Sequence, residues 1–192
     1  MYDTHMPLLA KHAGTPAGFA DIVTFAIAAQ NQHFYRVRSI LQELRKTQTS
    51  PYLSKRQHSG ITFVRHHASL FMPCTETESI GEALRRVLEL PSVGFIKGGF
   101  ILQMCGYNIG CLDRHMCSVT GLSPSVFNHI PASTEGLTCR IANYIATCHA
   151  FGGSEHLWNS WCALIAQKYP SHFADADAVS AYHVLCIMGV VL

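Results

Sequence analysis

The sequence feature that most constrains the fold is a proline-containing turn between two apolar stretches, over residues 79–104. Residues 79–82, SIGE, match a capping box, in which the serine accepts from the third helical amide and the glutamate reaches back. Apolar residues then recur at helical spacing, at Ile80, Leu84, Val87 and Leu88. Pro91 ends this helix, because proline cannot continue one. The pattern predicts two helices joined by a turn at residues 90–94.

The N-terminal half of the chain also shows helical periodicity. Residues 1–18 contain prolines and glycines without a sustained period, so we expect an irregular N-terminal arm, followed by a helix that Asp21 caps. Residues 22–46 predict two helices, hinged at the polar triplet 30–32. A further short helix is expected over residues 61–71.

The C-terminal half continues the same pattern. One helical stripe passes through residues 141–148 and is broken at Gly152-Gly153, and the next helix stops before Pro170. Asp175 or Asp177 is expected to cap a last helix. No segment alternates apolar and polar residues as a half-buried strand does. The sequence therefore predicts an all-α fold, in a single domain over residues 1–192.

Composition excludes several classes of protein. Hydrophobic residues make up 48% of the 192-residue chain, yet no apolar run is long enough to span a bilayer, and the start lacks a signal-peptide pattern. We expect an intracellular, soluble protein. The eight cysteines form no C-x-x-C motif and are expected to be reduced core residues. Cys111 and His115, one helical turn apart, with Cys117, lack an evident fourth metal ligand, so we predict no metal site.

Charge is unevenly distributed along the chain. Between Arg36 and Arg114 there are eleven Lys/Arg and six Asp/Glu, whereas the remainder has three against six. The basic excess thus surrounds the turn at residues 90–94. It suits an anionic partner such as DNA, although ordinary solvated faces would give a similar count.

The turn itself has the composition of an anion site. Gly94 can take a positive φ and let the backbone approach a ligand, and the free amides of the following helix would face that ligand. Lys97 adds a positive charge in the first turn of the helix. A DNA phosphate is the natural occupant, and the alternative is a simple helix–helix corner. The residues expected to contact DNA are Ser92, Gly94, Lys97, Gly98 and Arg114.

Residues 90–115 resemble the helix-hairpin-helix DNA glycosylase superfamily. Its signature is a Leu-Pro-Gly-Val-Gly hairpin, a helix, and a Val-Asp-Thr-His motif. The hairpin here is Leu90 to Gly94, and the acidic motif is Leu112-Asp113-Arg114-His115, with Asp113 lying 19 residues after Gly94. The resemblance covers roughly residues 21–122 and implies a glycosylase-like helical bundle, with the hairpin and acidic motif within residues 80–122.

This resemblance implies base flipping, in which one nucleotide of double-stranded DNA rotates into a pocket beside the catalytic Asp113. In bifunctional glycosylase/lyases a lysine lies two residues after the last hairpin glycine, and Ile96 occupies that position here. Lys97 is one step further, about 100° around the helix. Schiff-base lyase chemistry is therefore not expected. The resemblance implies no cofactor, because the four-cysteine iron–sulfur loop of some members has no counterpart.

Residues 94–116 together with residues 151–170 also resemble the amino acid:DNA transferases, small phage proteins of glycosylase-like fold that act in thymine hypermodification. That resemblance implies a 5-phosphomethyluracil in DNA as substrate, a free amino acid, glycine or serine, as the second substrate, and the cytoplasm of the host bacterial cell as location. Asp113 would orient the incoming amine or act as its general base. Lys97, His115 and Arg114 would stabilise the leaving phosphate, and Gln30 and Asn31 would hydrogen-bond the uracil edge or fill the vacated stack.

Alternatives accompany each of these assignments. Asp113 could serve only as a helix cap, His115 as a core histidine, and Lys97 as a solvent-facing side chain. Trp158 and Trp161 are expected to be core residues and not stacking platforms for a base. At the level of function, the alternatives are a monofunctional DNA glycosylase, which would leave abasic sites, and a non-catalytic DNA-binding module.

Overall fold

The computed structural model describes residues 6–32 and 34–170, and these residues form nine α-helices and no β-strand. The helices are Met6–Ala13 (α1), Pro16–Ala28 (α2), Phe34–Thr47 (α3), Lys55–Phe71 (α4), Ile80–Leu88 (α5), Phe95–Met104 (α6), Arg114–Thr120 (α7), Thr134–Ala150 (α8) and Gly153–Lys168 (α9). The all-α prediction is therefore confirmed for this part of the chain. The last helix expected after Asp175 or Asp177 lies outside the described residues.

The irregular arm expected over residues 1–18 is wrong for residues 6–18, the part that the structure describes. Helix α1 lies there and buries one face, through Met6, Leu9 and Ala13. Pro16 does not interrupt structure, because it occupies the first turn of α2, where its missing N–H costs nothing. The side chain of Thr15 caps α2 by accepting from the backbone N–H of Gly18 over 3.0 Å.

Other helix limits follow from capping. Asp21 lies inside α2 and not at its N-cap, with Oδ2 lying 3.2 Å from Nε2 of His12. The expected hinge at residues 30–32 is confirmed, because α2 ends at Ala28 and α3 begins at Phe34. Helix α4 begins before residue 61, since Ser54 and Gln57 form a capping box that starts it at Lys55. The capping box of Ser79 is confirmed.

Helix α2 is the centre of the bundle. It is buried along almost its whole length and packs against α1, α3, α4 and α6. Helix α6 also packs against α5, while α8 contacts α5 and α9, and α9 contacts α7. Within the described residues, no helix is long and apolar enough to cross a membrane. The arrangement brings the N-terminus of α6, the start of α7 and the length of α9 towards the hinge after α2.

The segment before α7 is held by a buried tyrosine. The hydroxyl of Tyr144 on α8 donates to the carbonyl of Gly110 over 2.8 Å and accepts from the N–H of Leu112 over 3.4 Å. Gly99 on α6 makes room for this contact, because a Cβ there would lie 2.5 Å from the Gly110 carbonyl oxygen and nearer still to the tyrosine hydroxyl. Close packing of α6 thereby fixes where residue 113 stands.

Candidate functional site

A cavity of about 880 Å³ lies between the hinge after α2, the turn before α6, the start of α7 and helix α9. It is lined by every residue that the sequence analysis assigned to catalysis, substrate or DNA, apart from Gly98: Gln30, Asn31, Ser92, Gly94, Lys97, Asp113, Arg114 and His115. Gly98 instead faces α5, where a Cβ would lie 2.9 Å from Cδ1 of Leu84. Its N–H donates to the carbonyl of Gly94 and so does not face a ligand.

Asp113 is fixed through both of its carboxylate oxygens. Oδ1 accepts from the backbone N–H groups of His115 and Met116, each over 2.9 Å, and so caps α7. Oδ2 accepts from Nε1 of Trp161 over 3.1 Å. The helix-cap alternative thus describes Oδ1 correctly. Since a carboxylate oxygen can accept two hydrogen bonds, Oδ2 retains capacity for a proton from the cavity.

Lys97 is largely buried beside the same cavity. Its Nζ donates to Oε1 of Gln30 and, over 3.2 Å, to the carbonyl of Ser92. Burial, together with the positive charge of Arg56, lowers the pKa of Lys97 to about 8. The alternative of a solvent-facing Lys97 is therefore wrong. The side chain is an ammonium at neutral pH that loses its proton under mildly alkaline conditions.

The hinge after α2 is tied to the cavity by two cations. Gln30 accepts from Lys97, and Oδ1 of Asn31 accepts from Nη2 of Arg114 over 3.2 Å. Asn31 has a positive φ of 57°, which asparagine tolerates better than most residues. These contacts join the hinge to the turn before α6 and to the first residue of α7.

The expected positive φ of Gly94 is wrong. Gly94 has φ −121° and ψ −175°, whereas Ser92, in the middle of the turn, has φ 68°. The turn needs its left-handed residue two positions earlier than expected, and the side chain of Ser92 is held there by donating to the carbonyl of Arg56 over 2.8 Å. No side chain caps α6, and a Cβ built on Gly94 has no described atom within 4 Å apart from those of Gly94 and its chain neighbours. The first amides of α6 therefore receive no side-chain cap.

His115 lines the cavity next to Asp113, so the core-histidine alternative is incomplete. Burial lowers the pKa of His115; the carboxylate of Asp113 opposes this effect, and the charges of Lys168 and Arg114 reinforce it. A lowered pKa makes the neutral imidazole the main form at neutral pH. His115 therefore suits proton transfer or hydrogen bonding better than charge stabilisation.

An aromatic wall, formed by Phe100, Trp158 and Trp161, closes one side of the cavity. The rings of Phe100 and Trp158 stack at 6.3 Å between centroids and 14° between planes, and those of Trp158 and Trp161 at 5.5 Å and 24°. The expected core role is confirmed for Trp158, which is 3% exposed. The core role does not describe Trp161, whose half-buried ring borders the cavity and donates a hydrogen bond to Asp113.

Gln103, Trp161 and Lys168 are among the cavity residues that sequence reasoning missed. The spacing of Trp158 and Trp161, three residues apart in a helical stretch, was the available signal, because it places both rings on one face. Gln103 gave a weaker signal, as a lone amide in an apolar helix. Lys168 ends α9 and could not be assigned to the cavity without the packing of α9 against α7.

The cysteine and histidine of the acidic region do not form a metal site. Cys111 precedes α7, which begins at Arg114, so Cys111 and His115 are not one helical turn apart. Burial raises the pKa of the Cys111 thiol well above its usual value. Over residues 6–32 and 34–170, no three His, Cys, Asp or Glu side chains group as metal ligands.

Comparisons of the chain with protein-family models, with curated proteins and with solved structures find no match. Fold and site together define an all-α protein with a cavity that combines a carboxylate, several cations, side-chain amides and an aromatic wall.

Proposed function

We propose that this protein is a transferase that acts on a modified base in DNA and has a helix-hairpin-helix glycosylase-like fold. It holds a flipped 5-phosphomethyluracil in the cavity and replaces the phosphate with an amino acid, glycine or serine. The observation that carries the proposal is the shared cavity of Asp113, Lys97 and the aromatic wall. A carboxylate suits the incoming ammonium, an ammonium group suits the leaving phosphate, and the rings suit a base.

The cavity is large enough for both substrates. Its volume of about 880 Å³ falls within the range of roughly 300–1,000 Å³ that is typical of small-molecule sites. Trp161 offers a half-buried ring face, supported from behind by Trp158 and Phe100. A planar base removed from the DNA stack would regain stacking energy there.

Two features support binding to the DNA backbone. The N-terminus of α6 has no side-chain cap, so its first amides and the positive end of its helix dipole remain for an anion at Gly94, which lines the cavity. Exposed Lys55 and Arg56 begin α4 beside the turn, to which Ser92 connects them through its bond to the Arg56 carbonyl. These groups contact phosphates without reading sequence, and thus position the nucleotide that enters the cavity.

The chemical step is a substitution at the methylene carbon attached to C5 of the uracil. The amine nitrogen forms a bond to this carbon, and the bond from carbon to phosphate oxygen breaks, with the electron pair leaving on phosphate. The proton lost by the incoming ammonium goes to Oδ2 of Asp113 and then to solvent. Lys97, Arg114 and Lys168, which all line the cavity, stabilise the leaving phosphate. A glycosylase that releases a neutral base has no such need for three cations.

Mass spectrometry of nucleosides tests the proposal. A duplex with one 5-phosphomethyluracil is incubated with the protein and glycine or serine, then digested completely. We expect an amino-acid adduct on intact DNA with the wild type and none with Asp113→Asn. Abasic sites that hot alkali cleaves would identify a monofunctional glycosylase instead. DNA binding with neither product would indicate a non-catalytic module.

A further inference from the structure

Two side-chain amides at the rim of the cavity have a fixed orientation. Oε1 of Gln30 accepts from Lys97, and Oδ1 of Asn31 accepts from Arg114. Because lysine and arginine can only donate, the oxygen of each amide must face its cation. Gln30 and Asn31 therefore have their NH₂ groups left to donate to a ligand.

A third amide, that of Gln103 on α6, lies deeper and has the opposite orientation. Gln103 is 1% exposed, and its Nε2 donates to the carbonyl of Ser154 over 2.9 Å. A carbonyl can only accept, so this contact fixes the amide and leaves Oε1 for another donor. Oε1 receives no hydrogen bond from any residue that the structure describes. Gln103 lines the cavity, which places its amide beside a ligand bound there.

We infer that Gln103 is the residue by which the cavity distinguishes a pyrimidine-2,4-dione, such as the proposed uracil substrate, from a cytosine derivative. The inference rests on the proposed function for placing a base in the cavity. The ring of such a base carries one N–H donor, at N3, between two carbonyl acceptors. Gln103 provides a buried acceptor for N3–H, and Gln30 and Asn31 provide donors for carbonyl oxygens.

Cytosine derivatives lack this match. Their N3 is an acceptor, so it would face the Oε1 of Gln103 with two lone pairs opposed and no proton between them. A buried acceptor that loses its partner weakens binding by roughly ten- to a hundredfold. Methylation at N3 of a uracil derivative has the same consequence, because it removes the donor without changing the carbonyl groups.

Binding of matched oligonucleotides tests the inference. One duplex carries 5-phosphomethyluracil, a second its N3-methyl form and a third 5-phosphomethylcytosine, each opposite an abasic site so that base pairing does not differ. Quenching of tryptophan fluorescence reports binding at the cavity, because both tryptophans of the chain line it. We expect the uracil duplex to bind at least about tenfold more tightly than either of the others.

Gln103→Met is the matching variant, since it keeps the length of the side chain and removes the acceptor. We expect its affinities for the uracil duplex and for the N3-methyl duplex to become equal, because the acceptor that distinguishes these two bases is gone. Gln57→Met is the control, because the Nε2 of Gln57 likewise donates to a backbone carbonyl, that of Ile27, over 3.1 Å, away from the cavity. This control should retain wild-type discrimination. If Gln103→Met does not fold, the inference is tested by the wild-type protein alone, through its relative affinity for the N3–H and N3-methyl duplexes.

The outcomes separate the two proposals. Equal binding of the N3–H and N3-methyl duplexes, or tighter binding of the cytosine duplex, overturns the inference even if the amino-acid adduct forms. Discrimination at N3 without formation of any adduct overturns the proposed transferase and leaves the base specificity in place. Absence of quenching by all three duplexes overturns the inference.

Discussion

The indole N–H of Trp161 donates to Oδ2 of Asp113 over 3.1 Å, while Oδ1 of the same carboxylate caps α7. Asp113 is therefore held from two helices, α7 through its backbone amides and α9 through an indole. A carboxylate fixed in this way has one orientation towards the cavity, so the proposed proton transfer to Asp113 would need little reorganisation.

Replacement of Asp113 should separate stability from activity. Asn at an N-cap still accepts from backbone amides, so Asp113→Asn is expected to lower stability by less than about 1 kcal/mol, whereas Asp113→Ala costs about 1–2 kcal/mol. Both should reduce the rate of adduct formation by roughly 10²- to 10⁴-fold, because the proton acceptor is lost. Thermal melting and single-turnover kinetics measure the two effects. A rate for Asp113→Asn near that of the wild type would contradict the assigned role.

Trp161→Phe keeps an aromatic ring in the wall and removes the donor to Asp113. A hydrogen bond to a charged group contributes about 1.5–3 kcal/mol, so we expect the single-turnover rate to fall roughly ten- to a hundredfold. If Trp161 acts through Asp113, the same substitution in an Asp113→Asn background should have almost no further effect. Additive effects in this double-mutant cycle would show that Trp161 contributes independently.

Capping and helix-breaking residues correctly predicted the limits of the helices in which they lie. Sequence patterns failed where a helix or a site depends on tertiary packing. The capping box at Ser79 and the breaks at Gly152 and Pro170 gave correct helix limits, because these residues act on their own backbone. Residues 1–18 were assigned wrongly, since Pro16 ends a helical pattern in many contexts but begins α2 here.

The residues of the site likewise fall into those predictable from local sequence and those that depend on tertiary packing. The turn before α6 and the motif around Asp113 were recognisable because their residues are close in sequence. Gln103 and Trp161 were missed as site residues, because α6 and α9 meet at the cavity only after the bundle has formed. No periodicity in either helix distinguishes a residue facing the cavity from one facing the core.

The burial of Lys97 should make stability depend on alkaline pH. Its pKa is about 8 in the folded protein against 10.5 for the free side chain, so the unfolded chain binds more protons between these values. Stability should rise with pH through this interval, and the full cost of the buried ammonium applies below about pH 8. Lys97→Met is expected to stabilise the protein at pH 7 by on the order of 1–3 kcal/mol and to abolish adduct formation.

Urea unfolding of the wild type and of Lys97→Met at pH 7 and pH 10 checks this expectation. The difference in free energy of unfolding between the two proteins should shrink at the higher pH, where the wild-type lysine is neutral. Lys55→Met is the control, because Lys55 is exposed. The difference in free energy of unfolding between the wild type and Lys55→Met should be the same at pH 7 and pH 10. Equal stability of the wild type and Lys97→Met at pH 7 would show that the ammonium is well solvated.

Two glycines near the turn should respond oppositely to alanine. A Cβ at Gly94 meets no described atom within 4 Å beyond its chain neighbours, and φ −121° suits any residue, so Gly94→Ala should fold normally. It should still weaken DNA binding several-fold, because the methyl group occupies the space that a phosphate would approach.

Gly99→Ala should lose on the order of 3 kcal/mol of stability, since its Cβ overlaps the Tyr144 hydroxyl. Circular dichroism melting and gel-shift titration measure both variants, and unchanged DNA affinity of Gly94→Ala would contradict the role of the turn.

Arg56 should contribute to DNA binding through charge alone. It is exposed at the start of α4, and its carbonyl accepts from Ser92, which places it beside the turn. If it contacts one phosphate, Arg56→Gln should reduce the slope of log affinity against log salt concentration by about 1, equally for every sequence. Arg85→Gln removes the same charge from α5, where Arg85 donates to Thr138, and should leave the slope unchanged. Because the charge of Arg56 also lowers the pKa of Lys97, Arg56→Gln should raise that pKa above about 8. Equal slopes for the two variants would place the DNA elsewhere on the protein.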